Sequence, residues 1–307
     1  MGRRRKFVVG SKVDPGSRAH LSRIIELLKE AHPRTSFINY YELTTGKARR
    51  DSRKKIRPSL SVLLQLLSKK DIDIVVADAR EMPSRVKREL AIAAIPGRNN
   101  PFNVLISNDE LILDDQPEDA CLAVDNPISK GQLLYYRQDL KFVEENRGLD
   151  YLRRMMAAGK IDGFVYAASE VEALRRQDEV VEVFTSSICM PVAGQGAQGL
   201  IVRSDDYAAK NALRALNDPS SNAEVRLEKM FLECIEKKGK MPVGVLGNVE
   251  GDDFQLEAAI VAPDGSVKVS DSIEGRSSDE SKIIGRFADA LLSTWENRLS
   301  KVANRTI

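Results

Sequence analysis

The stretch Asp73-Ile-Val-Val-Ala-Asp-Ala-Arg-Glu-Met-Pro83 begins as an apolar run and ends in charged side chains. An unbroken apolar run is typical of a strand that is buried on both faces of a parallel sheet. We therefore predict a buried strand at residues 72–77, followed by a loop that carries Asp78, Arg80 and Glu81. Glu81 also stands near the start of the next predicted helix, where acidic side chains are favoured, so a purely structural role is the alternative interpretation.

Strand and helix patterns alternate on both sides of this stretch, which predicts an α/β fold. The segment Pro96-Gly-Arg-Asn-Asn-Pro101 is rich in turn-forming residues and predicts a boundary, after which a second unit repeats the alternation. The strands predicted in these two units lie at residues 6–10, 37–43, 72–77, 104–107, 121–124, 163–167, 180–184 and 199–203. The helices predicted in them lie at residues 17–31, 60–67, 85–94, 132–137, 149–158 and 169–176.

The last part of the chain has a different pattern. Ser221 and Glu224 have the spacing of a capping box, which predicts a helix that runs to about residue 237. Ser277 and Glu280 repeat the spacing and predict a final helix that ends at about residue 303. Between the two helices, strands are predicted at residues 243–249, 255–262 and 267–273. Three successive strands under helices predict a compact α+β domain.

Composition narrows the class of protein. A chain of 307 residues is long for one core, so two or three domains are expected. The formal net charge of +2 argues against a nucleic-acid-binding protein. The three cysteines lack C-x-x-C spacing and the sequence has two histidines, so no metal site is expected. Neither an apolar run of ~20 residues nor a signal-peptide pattern occurs, and we expect a cytoplasmic protein without membrane contact.

Three segments resemble, in their order and spacing, the porphobilinogen deaminase (hydroxymethylbilane synthase) family. They are residues 73–83, Met190-Pro-Val-Ala-Gly-Gln-Gly-Ala-Gln-Gly-Leu200 and Glu236-Lys-Lys-Gly-Lys-Met-Pro-Val-Gly244. The resemblance implies two α/β domains of the type II periplasmic-binding-protein kind, and a C-terminal α+β domain with a three-stranded antiparallel sheet. It also implies that the chain returns to the first domain. Domain 1 is then residues 1–96 and 196–217, domain 2 residues 102–190, and the C-terminal domain residues 221–307.

The resemblance also implies a chemistry and a cofactor. In the family, four porphobilinogens are joined head to tail with loss of ammonia, on a dipyrromethane cofactor that a cysteine holds by a thioether. Gly239 stands at the position of that cysteine here. Cys234 lies in a predicted helix and Cys189 at the crossover between domains, so neither matches the loop. We therefore expect no dipyrromethane and no other cofactor.

The carboxylate that the family uses is kept in altered form. The family's aspartate, which stabilises positive charge on pyrrole nitrogens, matches Glu81, and its neighbouring serine and lysine match Asp78 and Arg80. The extra methylene of Glu81 moves its oxygens by roughly 1 Å, and such a displacement can cost ~10²-fold in rate. Glu81 is therefore predicted as a weakened catalytic residue.

The resemblance also implies that the cations with which the family binds substrate carboxylates are only partly retained. Lys12 is the cation available in the first loop, Lys130 stands for one of two adjacent arginines, and Gly131 replaces the other. Arg147 and Arg153 keep the Arg-Gly-x-x-x-x-Arg spacing. Cations in a cleft between two domains would attract anions despite the low net charge. The predicted anion ligands are Lys12, Arg80, Lys130, Arg147 and Arg153, with ordinary surface positions as the alternative.

The family's glycine-rich lid is matched by Lys54-Lys-Ile-Arg-Pro-Ser59, and a basic segment, residues 49–57, overlaps it. The basic segment contains six cations within ten residues, namely Arg49, Arg50, Arg53, Lys54, Lys55 and Arg57. A solvated loop and a polyanion-binding loop are the two interpretations of this segment.

These replacements indicate a homologue whose deaminase activity is lost or altered, and which binds an anionic small molecule such as a pyrrole or tetrapyrrole. Two alternatives stay open at this point. One is an active, divergent hydroxymethylbilane synthase that uses Glu81 and an untethered primer. The other is a scaffold or regulatory partner of haem-pathway proteins. Nucleic-acid and membrane partners are not expected.

Overall fold

The computed structural model describes residues 5–41, 58–239 and 241–303. The strands, numbered in chain order, are β1 Lys6–Gly10, β2 Ser36–Asn39, β3 Ile74–Asp78, β4 Leu90–Ala94, β5 Asn103–Ser107, β6 Cys121–Val124, β7 Lys141–Glu144, β8 Gly163–Ala167, β9 Glu182–Val183, β10 Gln198–Arg203, β11 Val243–Glu250, β12 Asp253–Val261 and β13 Lys268–Arg276. The α-helices are α1 Pro15–Ala31, α2 Leu60–Ser68, α3 Pro127–Tyr136, α4 Leu149–Ala157, α5 Ala168–Ala173, α6 Tyr207–Leu213, α7 Pro219–Glu236 and α8 Glu280–Ala303.

Contacts within the chain group it into two compact units. The first unit contains residues 1–98 and 197–222, and the second contains residues 99–196 and 223–307. The chain therefore leaves the first unit after β4 and returns to it with β10.

The first unit is built on a five-stranded sheet of order β2-β1-β3-β10-β4. Strands β1, β2 and β3 are parallel, whereas β10 runs antiparallel to both β3 and β4. Helix α1 begins at Pro15, where the Asp14 carboxylate accepts the backbone N–H of Ser17 at 2.9 Å. One apolar face of α1 is buried against the sheet, as its 3.6-residue period predicts.

Arg203, the last residue of β10, connects several neighbouring segments of the first unit through hydrogen bonds. Its guanidinium donates to the backbone carbonyls of Leu67 and Ile72 at 3.1 and 2.7 Å. It also donates to the carboxylates of Asp73 and Asp206 at 3.0 and 2.7 Å. The residue is only 9% exposed. A buried guanidinium is tolerated here because carbonyls and carboxylates surround it.

The second unit contains another five-stranded sheet and a three-stranded one. The five-stranded sheet has the order β7-β6-β8-β5-β9, with β6 parallel to β7 and β8 and with β5 antiparallel to β8 and β9. The fourth strand of each five-stranded sheet, β10 in the first unit and β5 in the second, is antiparallel to its neighbours. Each of these strands follows a passage of the chain from one unit to the other. Strands β11, β12 and β13 form an antiparallel meander that shares an apolar core with α7 and α8. The predicted fold class is confirmed.

Polar side chains join the meander to the rest of the second unit. The Glu228 carboxylate is fully buried and accepts the backbone N–H groups of Gly194 and Gly247 at 2.6 and 2.9 Å. Lys268 donates to the carbonyls of Ser187 and Ile188 at 2.7 and 3.2 Å. Burial lowers the pKa of Lys268, because its ammonium loses contact with water. The two carbonyls replace part of that water as hydrogen-bond acceptors.

Three of the differences from the sequence predictions concern a whole element or a helix cap. Residues 85–94, predicted as a helix, contain strand β4 instead, because β10 supplies a pairing partner for it. Strand β7 was not predicted, since it is an edge strand rich in charge. Helix α7 begins two residues before Ser221, so Ser221 is not its cap. The Asp218 carboxylate accepts the Ser221 N–H at 2.7 Å, and the Ser221 hydroxyl accepts the N–H of Arg98 instead.

Candidate functional site

The carboxyl end of β3 brings together the charged residues that the sequence singles out. Strand β3 ends at Asp78, and its carboxylate accepts the backbone N–H of Arg80 at 2.8 Å. The Arg80 guanidinium donates to the same carboxylate through Nε at 2.8 Å and Nη2 at 2.6 Å. Two N–H groups of the Arg80 guanidinium are therefore already used on Asp78, two residues away.

Lys12 and Glu81 meet at the same end of the sheet. Lys12 follows β1 and Glu81 follows β3, and these strands are parallel neighbours. The Lys12 ammonium donates to Glu81 Oε1 at 2.5 Å. Burial lowers the pKa of Lys12, but the hydrogen bond to Glu81 and the nearby carboxylates of Asp14 and Asp78 outweigh it, so the pKa lies above its ordinary value. The predicted catalytic carboxylate and the predicted anion ligand are thus ion-paired with each other.

A small, shallow pocket opens beside this pair. Its apolar lining comes from Leu60, Leu63, Val76 and Ala77. Its polar lining comes from Lys12, Ser17, Asp78, Glu81 and Gln198. Ser17 and Gln198 were not predicted. Gln198 pairs with Asp78 across the sheet, and no local signal reveals this, because it depends on the return of β10 to the first unit.

The predicted cations of the second unit also have carboxylate partners. Lys130 lies in α3, whose first turn is capped by Asn126, and its ammonium is 3.2 Å from Glu144. Arg147 precedes α4 and forms a two-pronged ion pair with Glu145. Arg153 Nε lies 3.1 Å from the Glu179 carboxylate. Each of the five predicted anion ligands therefore already contacts a carboxylate of its own unit.

Gly131, at the position where the resemblance suggested an arginine, has no room for a side chain. A Cβ atom placed there would lie 2.6 Å from the backbone carbonyl oxygen of Ala262 and 3.2 Å from a methyl group of Val261. Helix α3 thus packs directly on the backbone at the end of β12. The strand-turn glycine Gly265 makes the same kind of approach to α3, with its Cβ position 2.6 Å from Leu134 Cβ. The space that a side chain at position 131 would need is filled by the meander.

The segment around Gly239 follows α7. Gly239 is half-buried and has φ +154°, and the nearest atom to a Cβ placed there is the Met241 methyl at 4.0 Å. A side chain at position 239 would therefore have space, but its backbone conformation is one that L-residues rarely adopt. Lys240 and residues 49–57 lie outside the described residues.

None of the three thiols is poised as a nucleophile. Cys121 and Cys234 are half-buried and Cys189 is fully buried. Burial raises the pKa of all three, in Cys189 to about 11. The thiolate is the reactive form, and a raised pKa keeps these thiols protonated near neutral pH. Within the described parts of the chain, no group of three His, Cys, Asp or Glu side chains could hold a metal ion.

The buried Cys189 thiol gives the first testable prediction. Because burial raises its pKa from 9.0 to about 11, the folded state keeps this proton where the unfolded chain loses it. The contribution of this thiol to the free energy of unfolding is complete below pH 9. It is lost as pH rises toward about 11, which lowers the free energy of unfolding by roughly 2–3 kcal/mol. Urea unfolding between pH 8 and pH 11 should show this fall, and the fall should be smaller in Cys189→Ala. An identical pH slope in both proteins would contradict the assignment.

No described helix is long and apolar enough to cross a membrane.

The sequence relatives of this chain are porphobilinogen deaminases. The family model described as porphobilinogen deaminase, dipyromethane cofactor binding domain, matches residues 60–211. Porphobilinogen deaminase of Pelotomaculum thermopropionicum is 29% identical over 98% of both chains, and that of Thermus thermophilus is 30% identical over 91% of this chain and 93% of its own. A Salmonella typhimurium periplasmic binding protein is 14% identical over 76% of this chain and 98% of its own, with a TM-score of 0.40. The assignment rests on the sequence relatives, two of which span nine-tenths or more of both chains. The chain belongs to the porphobilinogen deaminase family.

Proposed function

We propose that this protein is a deaminase homologue that has lost the family's polymerising activity and binds a pyrrole, a tetrapyrrole or another polycarboxylate without extending it. Gly239 carries the proposal, because no sulfur is present where the family attaches its cofactor. A covalent dipyrromethane does not fit these residues. The other thiols are protonated, and the place of one arginine is filled by the carbonyl of Ala262.

The ion pairs support a weak form of anion binding. An arginine binds a carboxylate best when both prongs of its guanidinium are available. Here Arg80 and Arg147 use those prongs on Asp78 and Glu145. A ligand carboxylate must replace a protein carboxylate, so binding is expected to be weaker than with unpaired arginines.

One observation favours the active alternative as a second candidate. Glu81 keeps a carboxylate beside an apolar-floored pocket, and an untethered primer would need such a group. In that case Lys12 would hold the Glu81 carboxylate in place through their hydrogen bond.

An activity measurement separates the two candidates. We expect no hydroxymethylbilane from porphobilinogen above a blank without protein, because the chain has no attachment point for a growing product. Protein purified from its own host should have the intact mass of the bare chain and give no colour with Ehrlich's reagent. Turnover that Glu81→Gln abolishes would instead establish the active alternative.

Gly239→Cys is the informative companion variant in that assay. It supplies a thiol but leaves the ion pairs and Gly131 unchanged. We therefore expect it, too, to be inactive. Normal turnover in this single variant would show that the missing thiol alone explains inactivity.

Anion binding gives a further prediction. Affinity for a polycarboxylate should fall as salt rises, because exposed charges are screened over ~8 Å at physiological ionic strength. Calorimetry should show the loss of binding in Arg147→Ala/Arg153→Ala. A variant with Arg53, Lys54 and Lys55 neutralised is the comparison. If only that variant loses binding, the basic segment and not the inherited cations is the binding site.

A further inference from the structure

The ion pair between Arg147 and Glu145 has the geometry of a bound ligand. The guanidinium donates through Nε to both Glu145 oxygens at 2.9 Å, and Nη2 donates to the same carboxylate. This is the two-pronged arrangement through which arginines recognise free carboxylates. The acid thus occupies the edge of Arg147 that an anionic ligand would use.

The Arg147 guanidinium donates to no other group in the described part of the chain. Its guanidinium lies over the Tyr151 ring, 3.7 Å from the ring centre, and its side chain is 59% exposed. The ring fixes the plane of the guanidinium without using its N–H groups. The Glu145 side chain, in contrast, is only 12% exposed, and its carboxylate also accepts the backbone N–H of Arg147 at 3.0 Å. The guanidinium is accessible to solvent, and the carboxylate is held against it.

A second arginine–carboxylate pair in the same unit, Arg137 with Asp139, has a structural role and serves as a comparison. Arg137 donates to Asp139, also two residues away, through Nε at 2.8 Å and Nη2 at 2.6 Å. Its other N–H bonds reach the backbone carbonyls of Leu113, Asp114 and Gln116. Arg137 therefore fastens a loop, whereas Arg147 fastens nothing comparable.

We propose that Glu145 is an internal competitor that sets how strongly Arg147 binds an anionic ligand. The proposal rests on the proposed function, since it takes Arg147 as an anion ligand. A carboxylate two residues away competes at a high effective concentration, so the arginine binds a ligand only when that ligand offers several anionic groups at once. Arg147 also holds the pKa of Glu145 below its ordinary value through their hydrogen bond.

Calorimetry with tricarballylate, a small tricarboxylate, tests the proposal. Glu145→Gln keeps the shape of the side chain but removes its charge, and we expect affinity to rise by about tenfold, which corresponds to about 1.4 kcal/mol. Asp139→Asn removes the same charge from the structural pair and is the matched control, with no expected change in affinity. Adding Arg147→Ala to Glu145→Gln should cancel the gain.

The outcomes divide clearly. Unchanged or weaker binding by Glu145→Gln, an equal gain in Asp139→Asn, or no binding by any variant would overturn the proposal. Binding by Glu145→Gln but not by the unmodified protein would support Glu145 as competitor and count against the binding part of the proposed function. Turnover of porphobilinogen would overturn the proposed loss of activity and leave the calorimetric comparison valid.

Discussion

Gly131→Arg is expected to lower the stability of the second unit by about 3 kcal/mol, which is roughly 6–12 °C in its unfolding midpoint. The reason is steric. Even the first side-chain atom would lie 2.6 Å from the Ala262 carbonyl oxygen, which is backbone and cannot rotate away. Helix α3 or the end of β12 must move to admit the side chain. Placing an arginine at this position is therefore expected to damage the fold.

Gly285→Arg is the matched control for this variant. Gly285 also lies inside a helix, α8, but a Cβ placed there meets no atom within 4 Å. Replacing a solvent-facing helical glycine should raise stability by up to ~1 kcal/mol, since glycine is a poor helix former. Differential scanning calorimetry should show opposite shifts for the two variants. Equal midpoints would mean that α3 does not pack on β12 as described.

Arg203→Met is expected to destabilise the first unit by about 3–5 kcal/mol. The change keeps an apolar stem of similar length but removes every N–H group of the guanidinium. Two buried carbonyls and the carboxylates of Asp73 and Asp206 then lose their shared donor. Thermal unfolding followed by circular dichroism should show a midpoint lowered by roughly 10 °C or more.

An exposed arginine of the same unit provides the comparison. Arg23 is 64% exposed, and its guanidinium lies 3.7 Å from Glu26 in a surface pair. Arg23→Met should change stability by less than ~1 kcal/mol. If Arg203→Met were equally mild, the buried network would not be stabilising the sheet.

The sequence predicted the elements whose signal is local. Strands β1, β6 and β8 were predicted to the residue, because buried apolar runs between turn residues mark them. The failure at β4 is instructive. Its sequence, Leu-Ala-Ile-Ala-Ala, suits a helix equally well, and only pairing with β10, about a hundred residues later, makes it a strand.

In the candidate site, too, contacts between residues close in sequence can be predicted, whereas contacts between distant residues cannot. Glu145 is two residues from Arg147, so their pairing was readable from the sequence. The pairing of Lys12 with Glu81 joins residues 69 positions apart and requires the order of strands in the sheet. The blocked position at Gly131 depends on the packing of α3 against β12, which no periodicity reveals.

The late arrival of β10 has a consequence for synthesis on the ribosome. Strand β4 ends at Ala94, and the partner that it has among the described strands is β10, which begins at Gln198. At ~5–20 residues per second, the nascent chain holds β3 and β4 without their common neighbour for about 5–20 s. Unpaired apolar strand edges are templates for aggregation during that interval. A chain halted by a stalled ribosome between residues 98 and 198 should therefore bind holdase chaperones, and one halted beyond residue 222 should be released from them.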